Sequence, residues 1–159
     1  MVLYFAYGSN MSAAQMRRRC PGATLRGIGT LERFRLAFNR TGSYRPGAVA
    51  SVEPSAEPSS QVIGLVWEMS DHDLREMDAI EDPEAYLRIA VPVRTMEHGI
   101  EYCWAYISYP DERGSAPDRE YVQILIDGAL EAQLPPDYIS ELKAWLSPAG
   151  DSELATSRP

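Results

Sequence analysis

Residues 2–15 read VLYFAYGSNMSAAQ, an apolar run that breaks at Gly8 and resumes as helix formers. Residues 2–7 are apolar apart from the hydroxyls of Tyr4 and Tyr7, the pattern of a buried first strand. Ser12, with Gln15 three residues later, makes a capping box that starts a helix. Gly8 to Met11 is therefore a tight strand-to-helix loop. Successive backbone N–H groups in such a loop form a concavity suited to a carboxylate or a developing oxyanion. The same pattern also serves plain connections, in which Ser9 or Asn10 satisfies local backbone. Tyr4 and Tyr7 are either hydroxyls on a pocket wall or core tyrosines with hydrogen-bonded tips.

Outward from this stretch, residues 31–38 read as one half-buried strand with a slip near Arg33, and 41–47 as a glycine- and proline-marked loop. Residues 48–52 form a short strand, and 62–69 a buried one after a polar connector. Ser70 caps a helix through Ile80, which Asp82-Pro83 ends because the residue before proline is pushed out of the helical region. Strands over 86–93 and 100–109 flank a His98-Gly99 turn, with Pro92 marking an edge or a bulge. Helices follow over 118–132 and 135–145. Hairpins ahead of helices, without regular βαβ alternation, predict an α+β fold with a small, mixed, barrel-like sheet. Residues 1–146 read as a single domain and 147–159 as a disordered tail.

Composition narrows the function. No apolar run approaches the roughly 18 residues that span a bilayer, and the start of the chain lacks signal-peptide features, so no membrane partner and a cytoplasmic address are expected. A net charge of -8 disfavours nucleic acid, and Arg17-Arg18-Arg19 reads as the solvated face of a helix. Cys20 and Cys103 stand in neither CxxC nor metal-ligand spacing, which predicts no disulfide framework and no zinc site. GxSxG, HExxH and Walker patterns are missing, and His72 and His98 read as surface residues. An enzyme built on this chain works without an evident nucleophile, metal or cofactor.

One carboxylate stands out. Leu74, Met77 and Glu81 occupy i, i+3 and i+7, so a helix that runs far enough places Glu81 on its apolar stripe. A glutamate there loses hydration, and its pKa rises toward neutrality, where it both takes and gives protons. The alternative is a solvated residue at a frayed helix end.

Four separated segments together resemble the γ-glutamylcyclotransferases: YFAYGSNM (4–11), VIGLVW (62–67), LREMDAIEDPEAYLRIAVPV (74–93) and SAPDREYVQILIDGALEAQLPPDYISELKAW (115–145). The resemblance spans about residues 4–145. It implies a barrel-like α+β domain whose loop, Tyr4, Phe5, Ala6, Tyr7, Gly8, Ser9 and Asn10, binds a small γ-glutamyl substrate with help from Tyr86 and Tyr121. It implies Glu81 as the general acid and base, no metal, and no cofactor. The reaction implied is attack of the substrate's own α-amine on its γ-carbonyl, giving 5-oxoproline and a free amine or amino acid. A homodimer is left open. Two features depart from the family pattern: Asp82 stands where glycine commonly follows the glutamate, and the loop carries Ser-Asn rather than Ser-Leu or Thr-Leu. The second favours the γ-glutamyl-amino-acid branch or a biosynthetic relative that strips a γ-glutamyl cap. If Asp82 faces Glu81, like-charge repulsion raises the glutamate further. A non-catalytic γ-glutamyl-binding module and a γ-glutamyl amide hydrolase remain alternative readings.

Overall fold

A computed structural model describes residues 1–111 and 115–146; the predicted tail, 147–159, lies outside the described residues. In chain order the elements are β1 Val2–Ala6, a 3-10 turn Ser9–Met11, α1 Ala13–Arg19, β2 Thr24–Glu32, β3 Phe34–Thr41 and β4 Ala48–Pro54. They continue with β5 Gln61–Met69, α2 Asp71–Ile80, β6 Tyr86–Thr95, β7 Gly99–Ser108, α3 Arg119–Glu131 and α4 Pro136–Ala144. Among the described residues, β1, β5, β2, β6 and β7 close a barrel in that order, while β3 and β4 form a separate hairpin. The architecture is α+β. β1 explains why the opening run is so apolar: it takes β5 as an antiparallel partner along its length and β7 as a parallel one at Tyr4↔Trp104. The parallel contact makes the sheet mixed. Phe5, Leu31, Val62, Val66, Met69, Val93 and Cys103 are all buried in one core cluster.

The strand expected over 31–38 is two strands. Arg33 takes a left-handed conformation, φ 61°, and separates β2 from β3 in space as well as sequence. β2 escapes the pattern reading because Gly27 and Gly29 interrupt its alternation. Pro92 keeps β7 as a partner through Tyr102, while β6 meets β2 only at Gly29↔Thr95 and Thr30↔Arg94. It therefore sits where one side of the strand is unpaired, as an edge-tolerant residue should. The capping box at Ser70 is complete, with Asp73 returning the bond to the Ser70 amide. The one at Ser12 is half made: Ser12 Oγ accepts from the Gln15 amide, but the Gln15 side chain turns away to Ser9 and Asn10. No helix among the described residues is long and apolar enough to cross a membrane.

Gly29 and Gly64 face each other across β2 and β5. A Cβ on Gly64 would lie 2.2 Å from the Ala6 carbonyl oxygen and 2.9 Å from the Phe5 ring. Backbone on one side and a fully buried ring on the other leave nothing free to move. Gly64→Ala is accordingly expected to cost at least about 1–3 kcal/mol, the range of core overpacking, read as a drop in the denaturant midpoint with an unchanged slope.

Candidate active site

The site forms where three chain segments meet at one end of the barrel. β1 delivers Tyr4 and, one residue past its end, Tyr7; the 3-10 turn delivers Ser9 and Asn10, and α2 delivers Glu81 from its C-cap. Leu74 and Met77 are buried, and Glu81 continues their stripe, leaving its side chain 18% exposed. The solvated-end alternative therefore fails. Asn10, itself buried, joins loop to helix: its Nδ2 donates to Glu81 Oε1 at 3.1 Å and to the Tyr4 hydroxyl at 2.8 Å. Its Oδ1 accepts from Gln15 Nε2 and from Arg19 Nη1, each at 2.9 Å. Burial raises the Glu81 pKa; the Arg19 charge, the Asn10 hydrogen bond and the Arg45 charge pull it part of the way back.

The tyrosines stand around this carboxyl as neutral phenols. Burial raises Tyr4, Tyr7 and Tyr86, and pushes Tyr121 up to about 12. They offer hydroxyls and walls, not bases. Tyr7 donates to the Tyr106 carbonyl, and the Tyr121 hydroxyl accepts from the Ala50 amide at 3.0 Å, which anchors α3 to β4 beside the loop. The cysteines are no nucleophiles: burial pushes Cys20 up to about 11 and Cys103 up to about 12.

Two connected spaces share Ser9, Glu81, Tyr86 and Tyr121. The inner recess, about 40 Å³, is walled by Tyr4, Tyr7, Gly8, Asn10 and Tyr106. The outer cleft, about 120 Å³, is walled by Arg19, Arg40, Arg45 and the rest of the 41–47 loop. The Ser9 and Asn10 amides open the 3-10 turn, so the turn itself offers them no acceptor, while its own bonds run from Met11 to Gly8 and from Ser12 to Ser9. Gly8 stands at the recess with its missing Cβ directed 3.5 Å from the Tyr121 hydroxyl.

Of the residues singled out in the sequence, the structure brings Tyr4, Tyr7, Gly8, Ser9, Asn10, Glu81, Tyr86 and Tyr121 to this one place. Phe5 and Ala6 do not line it. Side chains alternate along a strand, so Phe5 turns away from Tyr4 into the core, against Gly29 and Gly64. Ala6 is buried at the β5 pairing opposite Leu65. Asp82 also departs from expectation. It takes φ 49°, the left-handed conformation that makes glycine the usual residue after a helix. Its carboxylate accepts from Ser43 Oγ and the Glu84 amide, both at 3.1 Å.

Three cations were invisible to the pattern reading. Arg17 and Arg18 are exposed as expected, but Arg19 turns inward to Asn10 and Glu81. A register shift between Phe38 and Arg40 marks a bulge, and Arg40 beyond it lines the cleft and donates to the Tyr109 carbonyl at 2.9 Å. Arg45 lies over the Tyr121 ring, 5.3 Å from its centroid. One signal was available: α1 ends on a basic run, where a cation near a helix C-terminus is favoured.

Such a site sets a carboxyl of raised pKa against a glycine loop in a small barrel, an arrangement able to take and give a proton. Residues 61–142 match the model of the AIG2-like family. The human protein named γ-glutamylcyclotransferase is 33% identical over 148 residues, covering 89% of this chain and 77% of the relative, and the bovine one is 30% identical over the same shares. A solved structure named γ-glutamyl cyclotransferase superposes with a TM-score of 0.84 at 31% identity, covering 99% of this chain and 92% of the other. The chain belongs to the AIG2-like γ-glutamylcyclotransferase family.

The raised Glu81 pKa carries a stability consequence. The folded chain binds this proton more tightly than the unfolded chain, so ionising Glu81 destabilises the fold as pH rises from the ordinary carboxyl range through the raised value. Glu81→Gln removes that loss. Thermal melts are expected to show Glu81→Gln above the wild type at neutral pH, with the advantage shrinking as the pH falls from the raised value to the ordinary glutamate range and gone below it.

Proposed function

We propose that the chain catalyses cyclisation of γ-glutamyl compounds, releasing 5-oxoproline and an amine, with Glu81 as acid and base. The observation that carries this reading is the 3.1 Å contact of the Asn10 carboxamide with a buried Glu81, which puts a proton carrier beside the loop amides. The Glu81 carboxylate takes a proton from the substrate's α-ammonium. The freed nitrogen attacks the γ-carbonyl carbon, and the carbonyl electron pair moves to oxygen. Glu81 then gives its proton to the departing nitrogen, the carbon–nitrogen bond breaks, and the carbonyl reforms. The second proton of the new ring nitrogen leaves with the freed amine, which departs as an ammonium ion, so Glu81 ends ionised.

Each part of the site has a task in this scheme. Because both reacting groups belong to one molecule, correct folding of the γ-glutamyl chain supplies effective molarities of roughly 10⁵–10⁸ M, and no enzyme nucleophile is needed. The Gly8, Ser9 and Asn10 amides are the candidates for the oxyanion, each well-placed donor contributing roughly 3–4 kcal/mol. Tyr4, Tyr7, Tyr86 and Tyr121 wall the recess and exclude water. Arg40 and Arg45 have no carboxylate within ion-pair distance among the described residues, which favours a leaving group that brings one, an amino acid rather than a bare amine. The two buried, unpaired thiols suit a reducing compartment and support a cytoplasmic enzyme.

The test is 5-oxoproline release from a panel of γ-glutamyl amino acids, γ-glutamyl amines and α-N-acetylated controls. The γ-glutamyl amino acids are expected to react best. Glu81→Gln is expected to lower kcat at least about a hundredfold, the low end of general acid–base catalysis, while remaining folded. Turnover of the N-acetylated compounds, in which the nucleophile is blocked, would establish hydrolysis instead. An active Glu81→Gln protein would remove Glu81 from the mechanism.

A further inference from the structure

The two oxygens of Glu81 are held unequally. Oε1 accepts from Asn10 Nδ2 at 3.1 Å and from Arg19 Nη1 at 3.4 Å, while among the described residues no hydrogen bond reaches Oε2. The Asn10 carboxamide cannot turn over to relax this. Its oxygen faces Gln15 Nε2 and Arg19 Nη1, and a guanidinium only donates, so a flipped amide would set donor against donor. Arg19 thus touches the carboxylate directly and also locks the residue that touches it. It does so from the last turn of α1, with its side chain 25% exposed.

Resting on the reading of Glu81 as acid and base, we propose that Arg19 is a positioning residue for the reaction. Directly and through Asn10 it reserves Oε1, leaving Oε2 as the oxygen that takes the α-ammonium proton and returns it to the departing nitrogen. A second effect follows from charge. The first proton movement needs an ionised Glu81, and burial opposes that. Several groups face the carboxyl: Arg19 from α1, Arg45 from the 41–47 loop, Tyr4 from β1, Tyr7 just after it, Tyr86 from β6, Tyr106 from β7 and Tyr121 from α3. The tyrosines are neutral. Of the two cations Arg19 acts more strongly, and Asp82 is turned toward Ser43. Removing the Arg19 charge therefore leaves the carboxyl protonated to higher pH.

Arg19→Gln keeps a donor for Asn10 and loses the charge; Arg19→Lys keeps the charge and loses the planar fork. The pH dependence of kcat/KM on a γ-glutamyl amino acid, together with a ¹³C NMR titration of Glu81 in the substrate-free protein, reads both effects. In Arg19→Gln the acidic limb and the Glu81 titration are expected to move to higher pH together. Activity below the limb should then fall about tenfold for each pH unit moved and recover above it. Arg19→Lys should stay near the wild-type limb. A folded Arg19→Gln with limb and titration unmoved, or a loss independent of pH, overturns the proposal. If Arg19→Gln does not fold, Arg19→Lys decides alone: a limb at the wild-type position supports the proposal, and a displaced one overturns it. Failure of the wild type to release 5-oxoproline would count against the activity itself, while the NMR titration still reads the coupling of Arg19 to Glu81.

Discussion

The hydrogen bond from Asn10 to Glu81 joins parts of the chain 71 residues apart, and the rest of the site depends on it. The Asn10 carboxamide is used on both sides, by Tyr4 and Glu81 through nitrogen and by Gln15 and Arg19 through oxygen. A buried polar group so fully partnered is rigid, and its neighbours are fixed with it. The fold brings the two halves together: β1 and β5 are antiparallel neighbours, so α2 starts beside the beginning of β1, and its run to Glu81 carries the carboxyl back to the loop that follows β1. Closure through β7 then places Tyr106 behind the recess, where its carbonyl accepts from Tyr7.

Burial and charge are balanced around one carboxyl. Burial favours the protonated form of Glu81, from which the cycle cannot start, while full exposure would return the carboxyl to the ordinary glutamate range and make its acid form scarce. Arg19 and the Asn10 amide offset part of the burial, and the phenols nearby remain neutral. The arrangement costs stability at neutral pH, as functional sites commonly do. The same logic explains the cleft. In a chain of net charge -8, Arg40 and Arg45 present positive charge at the mouth of the site, a local field that favours anionic ligands there.

What was legible in the sequence had a local cause. The strand-glycine-helix break at Gly8, the Ser70 capping box and the i, i+3, i+7 spacing of Leu74, Met77 and Glu81 each follow from a few neighbouring residues. What was not legible depends on contacts distant in sequence. β2 hides behind two glycines: Gly29 admits Val93, Val66 and Phe5 from other strands, and Gly27 takes a positive φ beside a register shift against β5. Arg19 has the same side chain as its exposed neighbours, and only the folded positions of Asn10 and Glu81 set it apart. Asn39 carries the bulge ahead of Arg40, and its bonds to Glu53 and Ser108 belong to the tertiary structure. Phe5 and Ala6 adjoin the loop in sequence, yet both are buried in the core, Phe5 because strand alternation turns it away from Tyr4 and against Gly29 and Gly64. Asp82 shows the opposite case: the usual glycine reports a backbone conformation, and aspartate adopts it while its carboxylate turns outward to Ser43.

The central claim is that the loop amides and the Glu81 carboxyl act on one small molecule from two sides. A crystal structure with 5-oxoproline bound tests it most directly. The lactam carbonyl oxygen is expected within hydrogen-bond distance of the Gly8–Asn10 amides, with the ring nitrogen turned toward Glu81 Oε2. Product bound away from either half, or a ring nitrogen facing the tyrosine wall instead of Glu81, would contradict it.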